Sequence, residues 1–322
     1  MAFATRRIDG VATPPTERSR RASRLAIRVS YPFVMLGGLA VYAGLDAVGV
    51  PVVIASYAAV VLGAGLITAH EIVLPYRDEW RPRVNDVRSD LTFMVAVQIL
   101  VPLLLSLAAA TAFTGWLREG DLTLGGLWPH SWPVAAQAAL MVVLADLPRY
   151  WLHRAFHSST FMWRWHAVHH SPHRLYWLNV GRFHPLEKAV QFSVDALPFV
   201  LVGVGDGVLA AYFVFYAVNG FFQHSNCDVR LGWLNYVISG PELHRWHHSK
   251  LASESDHNFG NNLIVWDVLF GTRFLPADTH VGPLGLLNRN YPLGFVAQMR
   301  TPLVRGLDKA KQVMATETAT SQ

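Results

Sequence analysis

Nine of the 15 histidines in this 322-residue chain fall into bursts at helical spacing. His153 and His157 form an H-x-x-x-H pair, and His166, His169 and His170 form an H-x-x-H-H block. His224 stands alone, and His244, His247 and His248 repeat H-x-x-H-H. On a helix, positions i, i+3 and i+4 share one face, so each block can aim at least two rings at one ion and leave the third for a neighbouring ion. Unperturbed imidazoles are largely neutral near pH 7 and can serve as ligands. The pair and the two blocks supply eight nitrogens, more than the three or four protein ligands of a mononuclear zinc centre. They fit a binuclear site with all-nitrogen coordination, for which iron is a reasonable metal. In DLPRYWLHRAFH, Asp146 lies two turns before His153 on the same face. A carboxylate there can accept from a ligand's far nitrogen and fix its tautomer; the alternative is a polar group that packs helices together.

The elements that must position these rings are apolar helices. The hydrophobic fraction is 52% and the charged fraction 15%, against roughly 25% charged in soluble domains; the mean hydropathy is +0.26. Long apolar runs cover 29–48, the stretch from Gly49 and Pro51 to 74, 91–114 and 133–149. Crossing a hydrocarbon core takes roughly 20 helical residues, so these predict about four transmembrane helices, the first two as a tight hairpin. A further apolar stretch, 190–222, is interrupted by Gly203, Gly205, Asp206 and Gly207. Each half is too short for a span, and a re-entrant helical hairpin is expected. Arginines precede the first run, and Arg77, Arg81, Arg83 and Arg88 lie between the second and third. Lys and Arg mark the cytoplasmic side. Four crossings then return the chain to the cytoplasm where His153 appears, so both termini and every histidine burst are expected there. The fold class expected is an all-α, multi-pass integral membrane protein with a cytoplasmic histidine-rich helical cap.

The remaining composition is mostly exclusionary. A single cysteine, Cys227, rules out an internal disulfide framework and a cysteine-based zinc ribbon. The formal net charge of +5 is matched by residues 1–28 alone, with seven arginines against Asp9 and Glu17. No basic stripe runs through the body, so no nucleic acid partner is expected. The basic arm over 1–28 is too long for a typical secretory signal and lacks a plausible cleavage site after the first apolar segment, and its Pro, Thr, Ser and Arg content predicts a disordered arm. The C-terminal end MATETATSQ is predicted to be disordered as well. The domain reading is an arm over 1–28, a transmembrane hairpin over 29–75, a catalytic region over 90–275 and a tail over 276–322.

The order of the histidine motifs resembles the fatty acid hydroxylase and sterol desaturase superfamily of integral-membrane di-iron enzymes. The likeness extends to DLPRYWLHRAFH, WRWHAVHHSP, FHPLE, FFQHSN, LHRWHH and NFGNNLIVWDVLFGT, in that order, over about residues 90–275. The resemblance implies two iron ions with O2 as co-substrate and oxidation of a membrane lipid's C–H bonds. It assigns His153, His157, His166, His169, His170, His244, His247 and His248 as ligands, with His224 and His184 completing the site. Some fatty acyl hydroxylases have a second histidine one turn before the one matching His224, where Gly220 stands here. That departure favours the sterol-desaturase or alkylglycerol-monooxygenase-like type and makes His184 the replacement ligand. His257 is a candidate to support the ligands, Asn261 to anchor backbone near them, and Asp267 to orient a ligand histidine; helix capping or a local salt bridge is the alternative for Asp267. His173 is read as structural or solvent-facing, and His70, His130 and His280 are too isolated for a role. Trp151, Phe161, Trp163, Trp165, Tyr176 and Trp177 are read mostly as an interfacial belt.

No haem-binding pair in a separate soluble domain, Rossmann fingerprint or ferredoxin-type cysteine set occurs. Electrons are therefore expected from an external donor, a cytochrome b5-like protein or a ferredoxin/reductase system. The working function is an O2-dependent di-iron oxidoreductase that hydroxylates or desaturates a sterol-like, ether or other long-chain membrane lipid. A carotenoid hydroxylase-like enzyme and a non-catalytic membrane metal-binding scaffold are the alternatives. A zinc hydrolase would want H-E-x-x-H, which is absent. A metal transporter would place its histidines within the spans rather than after them.

Overall fold

Helix α1 (Glu17–Ala47) and helix α2 (Val52–Val73) form a hairpin through Gly49, whose φ of +81° closes the turn. The computed structural model describes residues 7–8, 11–12, 17–119, 124–277, 279–304 and 307. Against the hairpin packs α9 (Asp206–His224). The contact is close because α2 presents Gly63: a Cβ there would stand 2.9 Å from Val218 Cγ2. Val34, Ala55, Ala59, Ile67, Val214 and Phe222 bury the rest of this interface. Two polar contacts join α1 to α9: the Tyr31 hydroxyl donates to Asn219 Oδ1 at 2.7 Å and the Tyr42 hydroxyl to the Gly207 carbonyl at 3.1 Å.

A third long helical rod runs from α3 (Val84–Phe93) through a π-helical stretch, Met94–Leu100, into α4 (Val101–Glu119). Among the described residues, three helices are long and apolar enough to cross a membrane: Arg24–Ala47, Val52–Val73 and Val84–Ala109. Their outer faces expose Phe33, Leu36, Val53, Ile54, Val61, Leu103, Leu104 and Leu107. An apolar surface of that extent on a monomer requires a lipid or protein neighbour.

The fourth expected segment, 133–149, is helical as the first part of α5 (Val134–Ser158). It buries Gln137, Asp146 and Arg149, and these polar side chains lower its apolarity below that of the other three. The stretch 190–222 is broken as expected, into α7 (Pro185–Asp195), α8 (Leu197–Leu201) and α9. The turn before α9 carries Gly203 at φ +74°, and α9 runs from there to His224.

The cap is built from short elements. They are α6 (Thr160–His170), a 3-10 turn at Trp177–Gly181, α10 (Pro241–His247), α11 (Ala252–Ser255), α12 (Val265–Phe270) and α13 (Phe295–Gln298). The only strands among the described residues are the two-residue pair Arg7–Ile8 and Val11–Ala12.

Parts of both terminal regions are described. The arm over 1–28 is helical from Glu17, where α1 begins ahead of the first candidate span; residues 1–6, 9–10 and 13–16 lie outside the described residues. The tail over 276–322 is packed as far as residue 304. Phe295 meets Phe93 edge-on at 4.8 Å, and Gln298 Nε2 donates to Ser171 Oγ at 2.7 Å, tying the segment to α3 and to the end of α6. Residues 308–322, including MATETATSQ, lie outside the described residues.

Candidate metal centre

Helix α5 ends by turning on Ser159, whose hydroxyl caps α6 by accepting from Met162 N at 3.4 Å. The break folds α6 back, so that His153 and His157 on α5 face His166 and His170 on α6. The Nε2 atoms meet at 3.0 Å for His153 and His166, and at 3.1 Å for both His157–His170 and His166–His170. The same arrangement recurs between α9 and α10. His244 Nε2 stands 3.0 Å from His224 Nε2 and 3.1 Å from His248 Nε2.

The nine histidines sort into two groups, with ligand atoms within 4.8 Å of one another in each. One holds His153, His157, His166, His170 and His247; the other holds His169, His224, His244 and His248. The sorting explains the H-x-x-H-H spacing. In each block the i, i+4 pair joins one group while the i+3 histidine crosses to the other. His169 thus leaves α6 for the second group, and His247 leaves α10 for the first. The groups abut, with the His170 and His248 rings stacked at 4.5 Å.

The outward nitrogens identify what the inward ones do. His153 Nδ1 lies 2.8 Å from the Phe259 carbonyl, His169 Nδ1 3.2 Å from the Arg182 carbonyl and His247 Nδ1 2.8 Å from the His257 carbonyl. A carbonyl can only accept, so these Nδ1 atoms carry the hydrogen, and in a neutral ring Nε2 then carries a lone pair. His166 Nδ1 donates to Glu187 Oε1 at 2.7 Å, His157 Nδ1 to Asp256 Oδ1 at 2.9 Å and His224 Nδ1 to Asn179 Oδ1 at 2.8 Å. Lone pairs therefore face lone pairs at about 3 Å inside a dry site, as between His153 and His166. A cation between them turns that repulsion into coordination. The donor set consequently fits metal ions, and nine imidazoles suit iron, copper, nickel or zinc better than a hard oxygen-loving ion.

Burial keeps the rings neutral. His153, His169, His170, His244 and His248 are held well below the ordinary histidine range, first by desolvation and then by the imidazoles beside them. Burial alone lowers His224 to about 3. Aromatic side chains complete the enclosure: Phe183 stacks on His169 at 4.1 Å, and Trp163 stands 5.1 Å from His157. Trp163 and Tyr176 are thus interior residues, whereas Trp151 and Phe161 are exposed as a belt requires.

Five further positions named from the sequence lie outside both groups. His184 stands apart from both groups. It precedes Pro185 as the N-cap of α7, where its Nδ1 accepts from Leu186 N at 3.2 Å and its ring lies edge-on to Trp165 at 4.6 Å. Asp146 does not reach a histidine. Its Oδ1 accepts from Asn262 N at 2.7 Å and its Oδ2 from Leu263 N at 2.9 Å, so it pins a loop. Asp267 pins the same loop from the other side, accepting from Phe259 N at 2.8 Å and Gly260 N at 2.7 Å. Gly260 is required there, because a Cβ would stand 2.0 Å from Leu263 O. Asp267, through Gly260 N, thus holds the peptide whose Phe259 carbonyl stands against His153 Nδ1, and Asp146 holds the following residues of the loop. Asn261 lies in that loop, its Oδ1 accepting from Arg149 Nη2 at 3.2 Å. His257 contributes its carbonyl to His247, while its ring packs on Phe274.

Sequence reasoning missed the acceptors that do touch ligand rings: Glu187, Asp256 and Asn179. Glu187 is the one with a sequence signal, a carboxylate inside the FHPLE block. Arg182, whose carbonyl holds His169, is itself fixed by a buried ion pair with Asp90 on α3.

Residues 138–272 match the family described as Fatty acid hydroxylase. Over 248 residues the chain is 34% identical to ornithine lipid hydroxylase OlsE of Rhizobium tropici, covering 74% of this chain and 73% of that one. It is 29% identical over 149 residues to alkylglycerol monooxygenase of Danio rerio, covering 46% of this chain and 32% of the relative. It is 31% identical over 147 residues to very-long-chain aldehyde decarbonylase GL1-8 of Oryza sativa subsp. indica, covering 45% of this chain and 54% of the relative. No solved structure matches.

Proposed function

This membrane protein belongs to the fatty acid hydroxylase family, and from that premise we propose that it is an O2-dependent di-iron oxidoreductase that hydroxylates a polar-headed membrane lipid. The observation that carries the reading is the convergence of Nε2 lone pairs within two abutting histidine groups. Two irons, one per group, would supply activation of O2 and oxidation of a C–H bond. The overall change consumes a substrate C–H, O2, two electrons and two protons, and yields C–OH and water.

Each residue's part follows from its contacts. His153, His157, His166, His170 and His247 would hold one ion, and His169, His224, His244 and His248 would hold the other. Glu187, Asp256 and Asn179, with the carbonyls of Phe259, Arg182 and His257, hold the Nδ1 hydrogens outward so that every held ring presents Nε2 inward. Asp267 positions the Phe259 carbonyl, Asp146 holds the following residues of the loop, and His184 starts α7 so that Glu187 arrives against His166. Phe183, Trp163 and Phe259 exclude water from the rings, which keeps oxidation directed at the substrate.

The extent of the similarity to an ornithine lipid hydroxylase favours an amino-acid-headed lipid over an ether lipid, because the alkylglycerol monooxygenase matches span only part of each chain. Arginines ahead of the first candidate span and between the second and third, with 133–149 read as a fourth crossing, support a cytoplasmic side for the histidine groups, within reach of a soluble electron donor. Lipid extracts of cells expressing the wild type should contain a hydroxylated polar lipid that is absent with His169→Ala or His247→Ala. Identical extracts from all three strains would overturn the reading.

A further inference from the structure

A pocket of about 520 Å³ opens at the edge of the cap, and none of the nine grouped histidines lines it. Three arginines on three separate segments converge there: Arg77, Arg174 and Arg289. Glu79 is the one lining carboxylate; its side chain is 69% exposed and 3.8 Å from Arg77 Nη1. Asp86, outside the pocket, takes one edge of Arg174 at 3.1 Å. Arg289 has no carboxylate partner among the described residues, and its Nη1 donates to the Leu284 carbonyl at 3.2 Å. His173 and His280, both exposed, add imidazole donors to the same wall.

The depth of the pocket indicates its ligand. Arg77 and Trp80 lie in the connector 74–83 between α2 and α3, which belong to two of the candidate membrane spans. The wall formed by Arg77 and Trp80 is therefore within a few residues of the ends of both candidate spans, the level of lipid headgroups. The Arg77 guanidinium lies 5.2 Å over the Trp80 ring, a pairing suited to that interface. A volume of this order is that of a small-ligand site. A folded protein partner would instead need roughly 800 Å² of surface. Guanidinium forks recognise phosphate oxygens in bidentate fashion. Two lining residues adjoin the histidine segments: Leu284 precedes Gly285, whose N donates to the His248 carbonyl at 3.2 Å, and His173 follows three residues after His170.

We propose that this pocket binds the anionic phosphate headgroup of a membrane lipid, held by Arg77, Arg174 and Arg289. It is a lipid site separate from the histidine groups, and its test does not depend on which metal they hold.

Native mass spectrometry of the full chain in mild detergent, titrated with phosphatidylglycerol, reads the site directly. The wild type should retain one phosphatidylglycerol that the double variant Arg174→Gln/Arg289→Gln binds at least tenfold more weakly. Uptake of diacylglycerol, which lacks phosphate, should be the same in both. Arg289→Lys, which keeps the charge and loses the fork, should fall between the wild type and Arg289→Gln. Should the double variant lose its melting transition, Arg289→Gln alone carries the comparison. Equal phosphatidylglycerol retention by wild type and variant overturns the proposal. So does binding of inorganic phosphate without the lipid, or arginine-dependent capture of an acidic protein in place of either.

Discussion

Glu187 accepts the Nδ1 hydrogen of His166 at 2.7 Å, and both side chains are almost wholly buried. The pair spans 21 residues of sequence and joins α7 to the centre of the first histidine group. A buried carboxylate in that position fixes the tautomer and raises the basicity of the inward nitrogen. Removing it should cost metal affinity on the order of 10–100-fold. Glu187→Gln, which keeps an acceptor oxygen, should lose less than Glu187→Ala. Chelator competition on the purified variants ranks them, and equal loss in both would contradict the orienting role.

His184 serves α7 as its N-cap. Replacement with alanine should cost about 1 kcal/mol of stability, the usual price of a lost cap, and leave the metal content of the chain unchanged. Thermal unfolding and elemental analysis of the same preparation separate the two effects. A drop in metal would return His184 to the ligand set.

Gly260 has no room for a side chain, its Cβ position lying 2.0 Å from Leu263 O and 2.9 Å from Asp267 Oδ2. Gly260→Ala should displace the Phe259 carbonyl and weaken metal binding at the first group before the second. Spectroscopic titration with Co²⁺ would then show one altered and one native-like step. Two unaltered steps would show that the loop does not set the His153 ring.

Acid should destabilise the metal-free protein. Burial holds His224 down to about 3, and His169, His170, His244 and His248 are also lowered. An unfolded histidine titrates near 6.5. Below that value the unfolded chain binds protons that the folded one refuses, so stability falls as pH falls, and continues to fall towards pH 3 for His224. Melting temperatures of chelated protein should therefore decline steadily from pH 7.5 to 5.5. A flat profile over that range would mean the rings are not buried neutral.

The donor rings could be read from the sequence because helical spacing survives folding: i, i+3 and i+4 share a face wherever the helix goes. Their division into two groups could not, since His169 and His247 cross over only because α6 and α10 meet face to face. The orienting acceptors were harder still. Asp146 has the correct spacing from His153, yet its carboxylate turns to the backbone of Asn262 and Leu263. Glu187 reaches His166 through a tertiary contact that no local period announces. Hydropathy located α1, α2 and the α3–α4 rod. The stretch 133–149 is less apolar than these three because it carries Gln137, Asp146 and Arg149, whose buried side chains serve packing and the loop beside the site.

Iron stoichiometry tests the central claim most directly. Full-length protein reconstituted anaerobically with Fe²⁺, freed of loose metal and analysed by elemental mass spectrometry should hold about two irons per chain, one for each histidine group. His244→Ala should lower that to about one by emptying the group to which His244 belongs. One iron or none in the wild type, or no change in the variant, would contradict a binuclear centre built from these nine histidines.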